Sequence, residues 1–244
     1  MKKYLLIAVT YHSDEALQTF LKSVHRAAER VKERIQVDIE IADNGKDNKG
    51  YFGGAATIYN QKAQEYDFVS ISNVDLALAP DFFEQLEKVD TTNIGWLAPD
   101  IYTEKINRYE NPYMLKRPTK CHFRIWNIIY SCTWIYRLYH RMYVWKGRQA
   151  KTYPACDIYA GHGSFVLLTK AFVKHYPEIH FPGFMYGEEI YMAESTRVAE
   201  LKVRYVPTLR IDNIGNINTA HIQQSQKSEW SKESLRAIYT LFFE

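Results

Sequence analysis

The chain has 244 residues, 46% of them hydrophobic and 24% charged, so it can bury the core of one large domain or of two small ones. Its formal net charge is only +3, which gives no electrostatic reason to expect a nucleic-acid partner, and we predict none. The three cysteines, Cys121, Cys132 and Cys156, have neither metal-site spacing nor an obvious pairing, which is typical of a reducing compartment.

The first residues mimic a signal peptide, because two lysines precede a run of apolar residues. However, that run is short, no small-residue cleavage site follows it, and the acidic Asp14 and Glu15 come directly afterwards. We therefore interpret the run as the first strand of the fold. No apolar run in the sequence is long enough to span a bilayer.

Strands and helices are predicted to alternate along the first hundred residues. Apolar runs predict strands at residues 4–10, 35–42, 68–72 and 94–98. Helices are predicted after a cap at Ser13, from the glycine-rich segment to near Glu65, and over residues 80–88. This alternation predicts an α/β fold with a mainly parallel sheet flanked by helices.

Regular structure is predicted to resume after residue 155, with a strand at 163–169, a helix at 188–199 and a strand at 202–206. A last helix would carry Leu235, Ile238, Tyr239 and Phe242 on one face. No repeat or low-complexity linker divides the chain. We therefore predict a single domain over residues 1–244, with a ligand-binding half (1–104), an insertion (about 105–155) and a second half (156–244).

The predicted insertion is basic and aromatic. No acidic residue occurs from Asn111 to Cys156, whereas the same stretch contains nine lysines and arginines and several tryptophans and tyrosines. A helix from Phe123 to Lys146 would be aromatic over most of its surface, which favours docking on an anionic membrane surface. The alternatives are a homodimer interface, a lid packed on the core, and single-stranded nucleic acid, which no recognised RNA-binding module supports.

The most informative short pattern is the pair Asn73 and Asp75, which follows the apolar run at 68–72. Ligands of open α/β sheets bind at the carboxyl ends of strands. A carboxylate there can hold a divalent cation, which in turn holds a diphosphate. The alternative is that Asp75 caps a helix that begins near Pro80 and Asp81.

Two candidate ligand-binding segments follow the second predicted strand. Asp43, next to Asn44, can accept hydrogen bonds from a base or a ribose, or it can simply form an Asx turn. The second segment is a glycine-rich stretch before a helix, which lets backbone approach an anionic ligand; its candidates are Gly50, Tyr51, Gly53 and Gly54. Its spacing is neither that of a dinucleotide fingerprint nor that of a P-loop, and a tight structural turn is the alternative.

The second half contains two further candidates. Glu188 and Glu189 begin a predicted helix, where one of them can act as a general base or both can merely stabilise the helix start. His162, Gly163 and Ser164 precede a predicted strand and form a candidate substrate-lining loop, in which His162 has a structural or a catalytic role.

Taken in chain order, these segments resemble glycosyltransferase family 2, the inverting sugar transferases with a GT-A fold. The resemblance covers most of the chain outside residues 105–155. The matching segments are Val9-Thr10-Tyr11, Asp43-Asn44, Asn48 to Asn60, Asn73-Val74-Asp75, Gly163 to Leu168, Tyr186-Gly187-Glu188-Glu189 and Tyr205-Val206-Pro207. Each is weak alone, but together and in the correct order they make the resemblance strong.

The resemblance implies roles for these residues. Thr10, Tyr11, Asn44 and Asn73 would lie at the nucleotide site with Asp43, which would contact the base, and Gly50 to Gly54 would lie near the nucleotide and sugar. Asp75 would bind Mg²⁺ or Mn²⁺. Glu189 would be the catalytic base, with Glu188 the weaker candidate. The family's histidine after the Tyr-x-Pro segment is missing, so Asp212 or His221 would be the second protein ligand of the metal.

The resemblance also implies an activity: transfer of a sugar from a nucleotide sugar, UDP- or dTDP-linked, to a hydroxyl of a saccharide acceptor. The acceptor would be lipid-linked, and the reaction would build a surface polysaccharide such as capsule or O-antigen at the inner face of the plasma membrane. The alternative is a non-catalytic, membrane-docked relative. A sugar nucleotidyltransferase is disfavoured, because residues 11–14 lack the glycine-rich, arginine-bearing loop that it needs.

Overall fold

The computed structural model of the protein describes residues 1–45, 47–132, 134–138, 141, 152–215 and 223–244. The strands are β1 (Lys2–Thr10), β2 (Ile35–Asp43), β3 (Phe68–Asn73), β4 (Leu76–Leu78), β5 (Ile94–Thr103), β6 (Arg108–Tyr109), β7 (Cys156–Ile158), β8 (Phe165–Thr169) and β9 (Lys202–Asn213). The helices are α1 (Asp14–Glu29), α2 (Tyr51–Lys62), α3 (Phe82–Glu87), α4 (Lys120–Ser131), α5 (Lys170–His175), α6 (Glu188–Val198) and α7 (Gln224–Phe242).

The strands form one sheet in the order β2-β1-β3-β8-β5-β9-β4, with β6 beside β5 and β7 beside β9. β1 is parallel to β2 and β3, and β5 is parallel to β9, whereas β8 is antiparallel to both of its neighbours. Five of the seven strands in this order therefore point the same way, the exceptions being β8 and the short edge strand β4. This confirms the predicted α/β fold with a mainly parallel sheet. β8 departs from the predicted alternation, because it enters the sheet after a long excursion rather than through a crossover helix.

Helices cover both faces of the sheet. Alternate residues of β1 point to opposite sides, so Tyr4 and Leu6 pack with Phe20 of α1 and Phe83 of α3, while Leu5 packs on the face that carries α2, α6 and α7. β1, β3, β5 and β8 are buried on both sides, which explains why they read as continuous apolar runs. The carboxyl ends of β1 and β3 lie side by side in this arrangement, since Val9 pairs with Asn73.

Several element boundaries differ from the prediction. Ser13 occupies the N-cap position of α1, but its hydroxyl donates to the Tyr11 carbonyl (2.8 Å) and does not cap the helix. The last strand, predicted to end at Val206, continues through Pro207 to Asn213. It passes the proline at a shift in its register with β5, where the missing N–H leaves no gap in the ladder.

The predicted helix from Phe123 to Lys146 is not continuous. α4 ends at Ser131, Cys132 is extended, and residues 134–138 are helical again, while most of the remainder lies outside the described residues. Phe123 packs against Tyr239 and Phe243 at the end of α7. Part of the insertion is therefore built into the domain. Within the described part of the chain, no helix is long and apolar enough to cross a membrane.

Candidate functional site

A cavity of about 1450 Å³ opens beside the carboxyl ends of β1 and β3. Eleven of the predicted site residues line it. The first half contributes Thr10, Tyr11, Asn44, Gly50, Tyr51 and Asn73. The second half contributes His162, Gly163, Ser164, Glu188 and Glu189. Residues of the first predicted half, 1–104, and of the second, 156–244, thus face one another across this cavity.

The other predicted site residues do not line this cavity. They are Asp43, Gly53, Gly54, Asp75 and Asp212. Asp75 nevertheless lies close to the cavity wall, since it interacts electrostatically with two cavity residues, Tyr51 and His162. The sixth, His221, lies outside the described residues.

Asp75 occupies the turn between β3 and β4. It does not cap α3, whose N-cap residue is Asp81, so that alternative is excluded. Its carbonyl accepts hydrogen bonds from the backbone N–H groups of Ile214 (3.0 Å) and Gly215 (3.1 Å). A Cβ on Gly215 would come within 2.1 Å of the Asp75 Cβ, so only glycine fits there. Burial raises the pKa of the Asp75 carboxyl, and the nearby His162 partly offsets that effect.

The residues around Asp75 fit a divalent metal held mainly by a substrate. Within the described ranges, no three His, Cys, Asp or Glu side chains converge on one point. Asp212 does not join Asp75: it is exposed, lies opposite Ala77 in the sheet, and its charge acts on Asp100. Mg²⁺ and Mn²⁺ prefer oxygen ligands, and Mg²⁺ is usually held by one or two carboxylates together with substrate phosphates. Asp75 would supply one such carboxylate.

Asn44 and Asp43 make structural hydrogen bonds. Asn44 is buried and donates to the Gly50 carbonyl (2.9 Å), and a Cβ on Gly54 would lie 2.6 Å from its side-chain oxygen. Asp43 is exposed and accepts the Gly45 N–H (2.8 Å), which is the Asx turn that we considered as the alternative. Asn44 therefore fixes the entry into α2, whose first residue, Tyr51, reaches the cavity.

The glycine-rich segment serves packing. Gly50 has a φ of +76°, and a Cβ there would lie 1.9 Å from the carbonyl oxygen of Phe184. The two backbone segments therefore pack so closely that only glycine fits at this position. The next residue, Tyr51, donates its hydroxyl hydrogen bond to the carbonyls of Ile71 (3.1 Å) and Ser164 (3.3 Å). Burial, followed by the charges of three nearby carboxylates, raises the pKa of Tyr51. The neutral phenol of Tyr51 therefore links β3 to the residue that precedes β8.

Glu188 and Glu189 begin α6, after Gly187 in the left-handed region (φ +93°). Glu188 is buried and its Oε1 accepts the Tyr186 N–H (3.0 Å). Burial, and secondly the charge of Glu189, raise the pKa of Glu188 to about 8. Glu189 faces the cavity, and its Oε1 accepts the Gly163 N–H (3.3 Å). Because burial favours the protonated form of Glu188, Glu189 is the better candidate for a general base.

Sequence reasoning missed several residues of the cavity. Arg108 and Glu110 form an ion pair there (3.2 Å) with side chains only 16% and 11% exposed, although both fall within the predicted insertion. Trp230 lines the cavity from α7. A tryptophan on the polar N-terminal half of that helix, away from its apolar stripe, was a usable signal. His12, with a φ of +48°, also lines the cavity.

The insertion also contributes to the cavity wall. Tyr130 at the end of α4 and Tyr136 in the next helical turn both line it. The hydroxyl of Tyr186 is buried nearby and has no hydrogen-bond partner within the described parts of the chain. α7 holds both sides in place, because Ser228 donates to the Tyr130 carbonyl (2.7 Å) and Ser234 donates to the Met185 carbonyl (2.9 Å).

One buried charge links the insertion to the helix that carries Glu189. The fully buried carboxylate of Glu194 accepts two hydrogen bonds from Arg117 (2.7 and 3.0 Å), one from Arg197 (2.9 Å) and one from Tyr159 (2.8 Å). Burial alone would raise the pKa of Glu194, but these donors outweigh it and lower that pKa. Glu194 therefore anchors α6 as an ionised group.

No family model matches the chain, and no curated protein matches it in sequence. Solved structures match it in fold. The catalytic domain of Drosophila beta1,4galactosyltransferase 7, in complex with xylobiose, is 13% identical with a TM-score of 0.53, and the match covers 94% of this chain and 80% of that chain.

Two larger proteins also match. GalNAc-T7 with UDP, GalNAc and Mn²⁺ is 12% identical with a TM-score of 0.55, and the match covers 97% of this chain and 47% of that chain. S. aureus TarS is 11% identical with a TM-score of 0.53, and the match covers 98% of this chain and 39% of that chain. The chain spans less than half of either protein. These similarities show that its fold is the GT-A fold of glycosyltransferases.

Proposed function

We propose that this chain is an inverting glycosyltransferase that moves a sugar from a nucleoside-diphosphate sugar to a hydroxyl of a saccharide acceptor. The observation that carries the proposal is the convergence, in a GT-A fold, of Asp75, the loop His162–Ser164 and Glu189 around one cavity. The similar structures contain UDP with Mn²⁺, and UDP-Gal with manganese and xylobiose, which supports a divalent metal and these two substrate classes.

The proposed reaction gives a role to each of two carboxylates. Asp75, at the end of β3, would hold Mg²⁺ or Mn²⁺ on the donor diphosphate, where the metal would offset the charge of the leaving group. Glu189 would take the proton of the acceptor hydroxyl as its oxygen attacks the anomeric carbon. Attack from the face opposite the nucleotide breaks the bond between that carbon and the diphosphate oxygen, so the configuration inverts.

The aromatic side of the cavity suits the acceptor. Pockets for a single small ligand usually measure about 300–1,000 Å³. The cavity of about 1450 Å³ therefore has room for a donor and an acceptor together. Tyr130, Tyr136 and Trp230 offer rings to the apolar faces of sugars, and Gln226 offers an amide to their hydroxyls. The insertion would thus serve as a wall of the acceptor site.

The test is thermal stabilisation by UDP-, dTDP- and GDP-sugars, with and without Mn²⁺. A ligand that binds the native state raises the melting temperature by mass action. We expect a Mn²⁺-dependent rise with one class of donor, lost in Asp75→Ala and kept in Asp212→Ala, an exposed carboxylate that does not line the cavity. If no donor stabilises the folded wild type, the chain is not a transferase of this class and a non-catalytic, membrane-docked relative becomes the better hypothesis.

We further propose that the acceptor is lipid-linked and that the protein works at the inner face of the plasma membrane in surface-polysaccharide synthesis. The support is the outer face of α4 and the turn after it. Ile125, Ile128, Trp134 and Leu138 are 49%, 61%, 67% and 52% exposed there. The surrounding stretch, residues 111–156, contains nine cationic and no acidic residues. That charge favours an anionic lipid surface.

Vesicle co-sedimentation tests the docking proposal. We expect binding to phosphatidylglycerol vesicles that falls with salt and is lost when Ile128 and Trp134 are replaced by Ser, without a change in melting temperature. The matched control is Leu241→Ser, which removes another exposed apolar side chain (57%) from α7. Equal binding of both variants would refute the proposal. If wild type instead forms a salt-independent dimer that dissociates when Ile128 and Trp134 are replaced, this surface is a homodimer interface.

A further inference from the structure

The hydrogen bonds of His162 select one tautomer of its ring. The backbone N–H of Ser164 points at Nδ1 (3.2 Å), and the Ser164 hydroxyl lies 2.8 Å from the same atom. A backbone N–H can only donate, so Nδ1 must be the acceptor, and the hydrogen of the neutral ring is on Nε2. The local chain therefore determines which nitrogen of His162 is a donor.

The ring is also fixed in place. The His162 backbone N–H donates to Asn111 Oδ1 (2.7 Å), and the edge of the imidazole meets the Tyr113 ring at a centroid distance of 5.4 Å and an angle of 85°. The ring lines the cavity and lies close enough to Asp75 for the two side chains to interact electrostatically. The next residue, Gly163, contacts Glu189. Among the described residues, none accepts a hydrogen bond from Nε2.

This tautomer is unsuited to metal ligation. A neutral imidazole that binds a metal through Nε2 must carry its hydrogen on Nδ1, where it would face the Ser164 N–H. Nε2–H is instead suited to an anionic oxygen. In a donor whose diphosphate lay at Asp75, the β-phosphate would carry the sugar and would therefore be the phosphate on the side of Glu189, whose Oε1 accepts the N–H of Gly163, the residue next to His162.

We propose that His162 donates its Nε2–H to the β-phosphate of a bound nucleoside diphosphate, as a phosphate-binding residue distinct from the metal ligands. This inference rests on the proposed function, because it assumes a nucleoside-diphosphate ligand. The hydrogen bond would help to hold the donor before transfer and the nucleoside diphosphate after it, when the oxygen that left the sugar carries additional negative charge.

Two substitutions separate this role from a structural one. His162→Asn places an amide oxygen near the position of Nδ1, so it keeps the contact with Ser164 but has no donor at the position of Nε2. His162→Gln places an amide N–H near the position of Nε2. Calorimetric titration of UDP, dTDP and GDP, and of the matching monophosphates, in the presence of Mn²⁺ measures binding without turnover.

We expect His162→Asn to weaken binding of the nucleoside diphosphate roughly 10-fold or more, the usual effect of losing a hydrogen bond to a charged group. Monophosphate affinity, Mn²⁺ affinity and melting temperature should stay unchanged, and His162→Gln should recover most of the loss. Unchanged diphosphate affinity in His162→Asn, an equal loss for the monophosphate, or a loss of Mn²⁺ affinity would each overturn the inference.

The tautomer can be checked on the wild-type protein, which protects the test against a variant that fails to fold. Long-range ¹H–¹⁵N spectra of histidine-labelled protein should show His162 with its hydrogen on Nε2, and its ¹⁵N shifts should move when the diphosphate is added. A hydrogen on Nδ1 would overturn the inference while leaving the proposed function intact. If wild type binds none of the three diphosphates, the proposed function and this inference both fail.

Discussion

Replacing Glu188 by Gln should remove a pH-dependent cost of folding. The Gln side-chain oxygen can still accept the Tyr186 N–H that Glu188 accepts, so the substitution mainly removes the ability to ionise. Burial and the charge of Glu189 raise the pKa of Glu188 from 4.5 to about 8 in the folded protein. Between these pH values the folded state holds a proton that the unfolded state releases, so wild-type stability falls as pH rises through this window.

The magnitude is set by the difference between the two pKa values. Each unit is worth about 1.4 kcal/mol of free energy, so the shift from 4.5 to about 8 corresponds to a few kcal/mol. We therefore expect the free energy of unfolding of Glu188→Gln, relative to wild type, to improve by about 2 kcal/mol or more between pH 5 and pH 8. Contributions from titrating groups other than the neighbouring Glu189 are common to both proteins and cancel in this difference.

Urea denaturation at pH 5 and pH 8 measures the effect. Glu194→Gln is the matched control, because it removes a buried carboxylate of the same helix whose pKa is lowered by Arg117, Arg197 and Tyr159 against the effect of burial. The ionised carboxylate of Glu194 contributes stability that is fully present above the pKa of this group in the unfolded state and is lost only as pH falls below that value. Glu194→Gln should therefore be destabilised by similar amounts at pH 5 and pH 8. A Glu188→Gln curve that parallels wild type from pH 5 to pH 8 would refute the reasoning.

Three further predictions concern activity and packing. Glu189→Gln should abolish sugar transfer in an activity assay while leaving nucleotide binding intact by calorimetry, and retained transfer would exclude this residue as the base. Gly50→Ala should destabilise by about 3 kcal/mol or more, since a Cβ would collide with backbone at a positive φ, whereas Gly53→Ala, inside α2 with only a lysine side chain nearby, should stay within about 1 kcal/mol by urea denaturation. Arg117→Ala should lower the free energy of unfolding by about 2–3 kcal/mol. This is less than the cost of fully breaking a buried ion pair, because Arg197 and Tyr159 still donate to the Glu194 carboxylate. Arg124→Ala, on the exposed face of α4, should cost little in the same assay.

The sequence predicted the regular elements well, because burial on both faces leaves a strong local signal. β1 and β3 read as continuous apolar runs, so their carboxyl ends, and with them Asn73 and Asp75, were placed correctly. The start of α6 at Glu188 was predicted from two carboxylates at the N-terminal end of an apolar pattern. Signals of this kind depend only on neighbours along the chain.

What the sequence did not reveal depends on contacts between distant segments. Gly50 was interpreted as a residue that admits a ligand, but its small size is required by Phe184, which no local pattern connects to it. The direction of β8 is set by its pairing with β3 and β5 and not by its own residues. Likewise, Arg108 looked like part of a basic insertion, because only the fold brings it back to the cavity.

The contacts of α7 have a consequence for the order of folding. The sheet needs no residue beyond β9, but Ser234 holds the loop before Glu188 and Ser228 holds the end of α4. A nascent chain that has not yet made α7 would therefore have its strands in register but lack two walls of the cavity. Ligand binding should be acquired late during synthesis, as a step separable from formation of the sheet, and a partly made chain would expose aromatic side chains to chaperones at this place first.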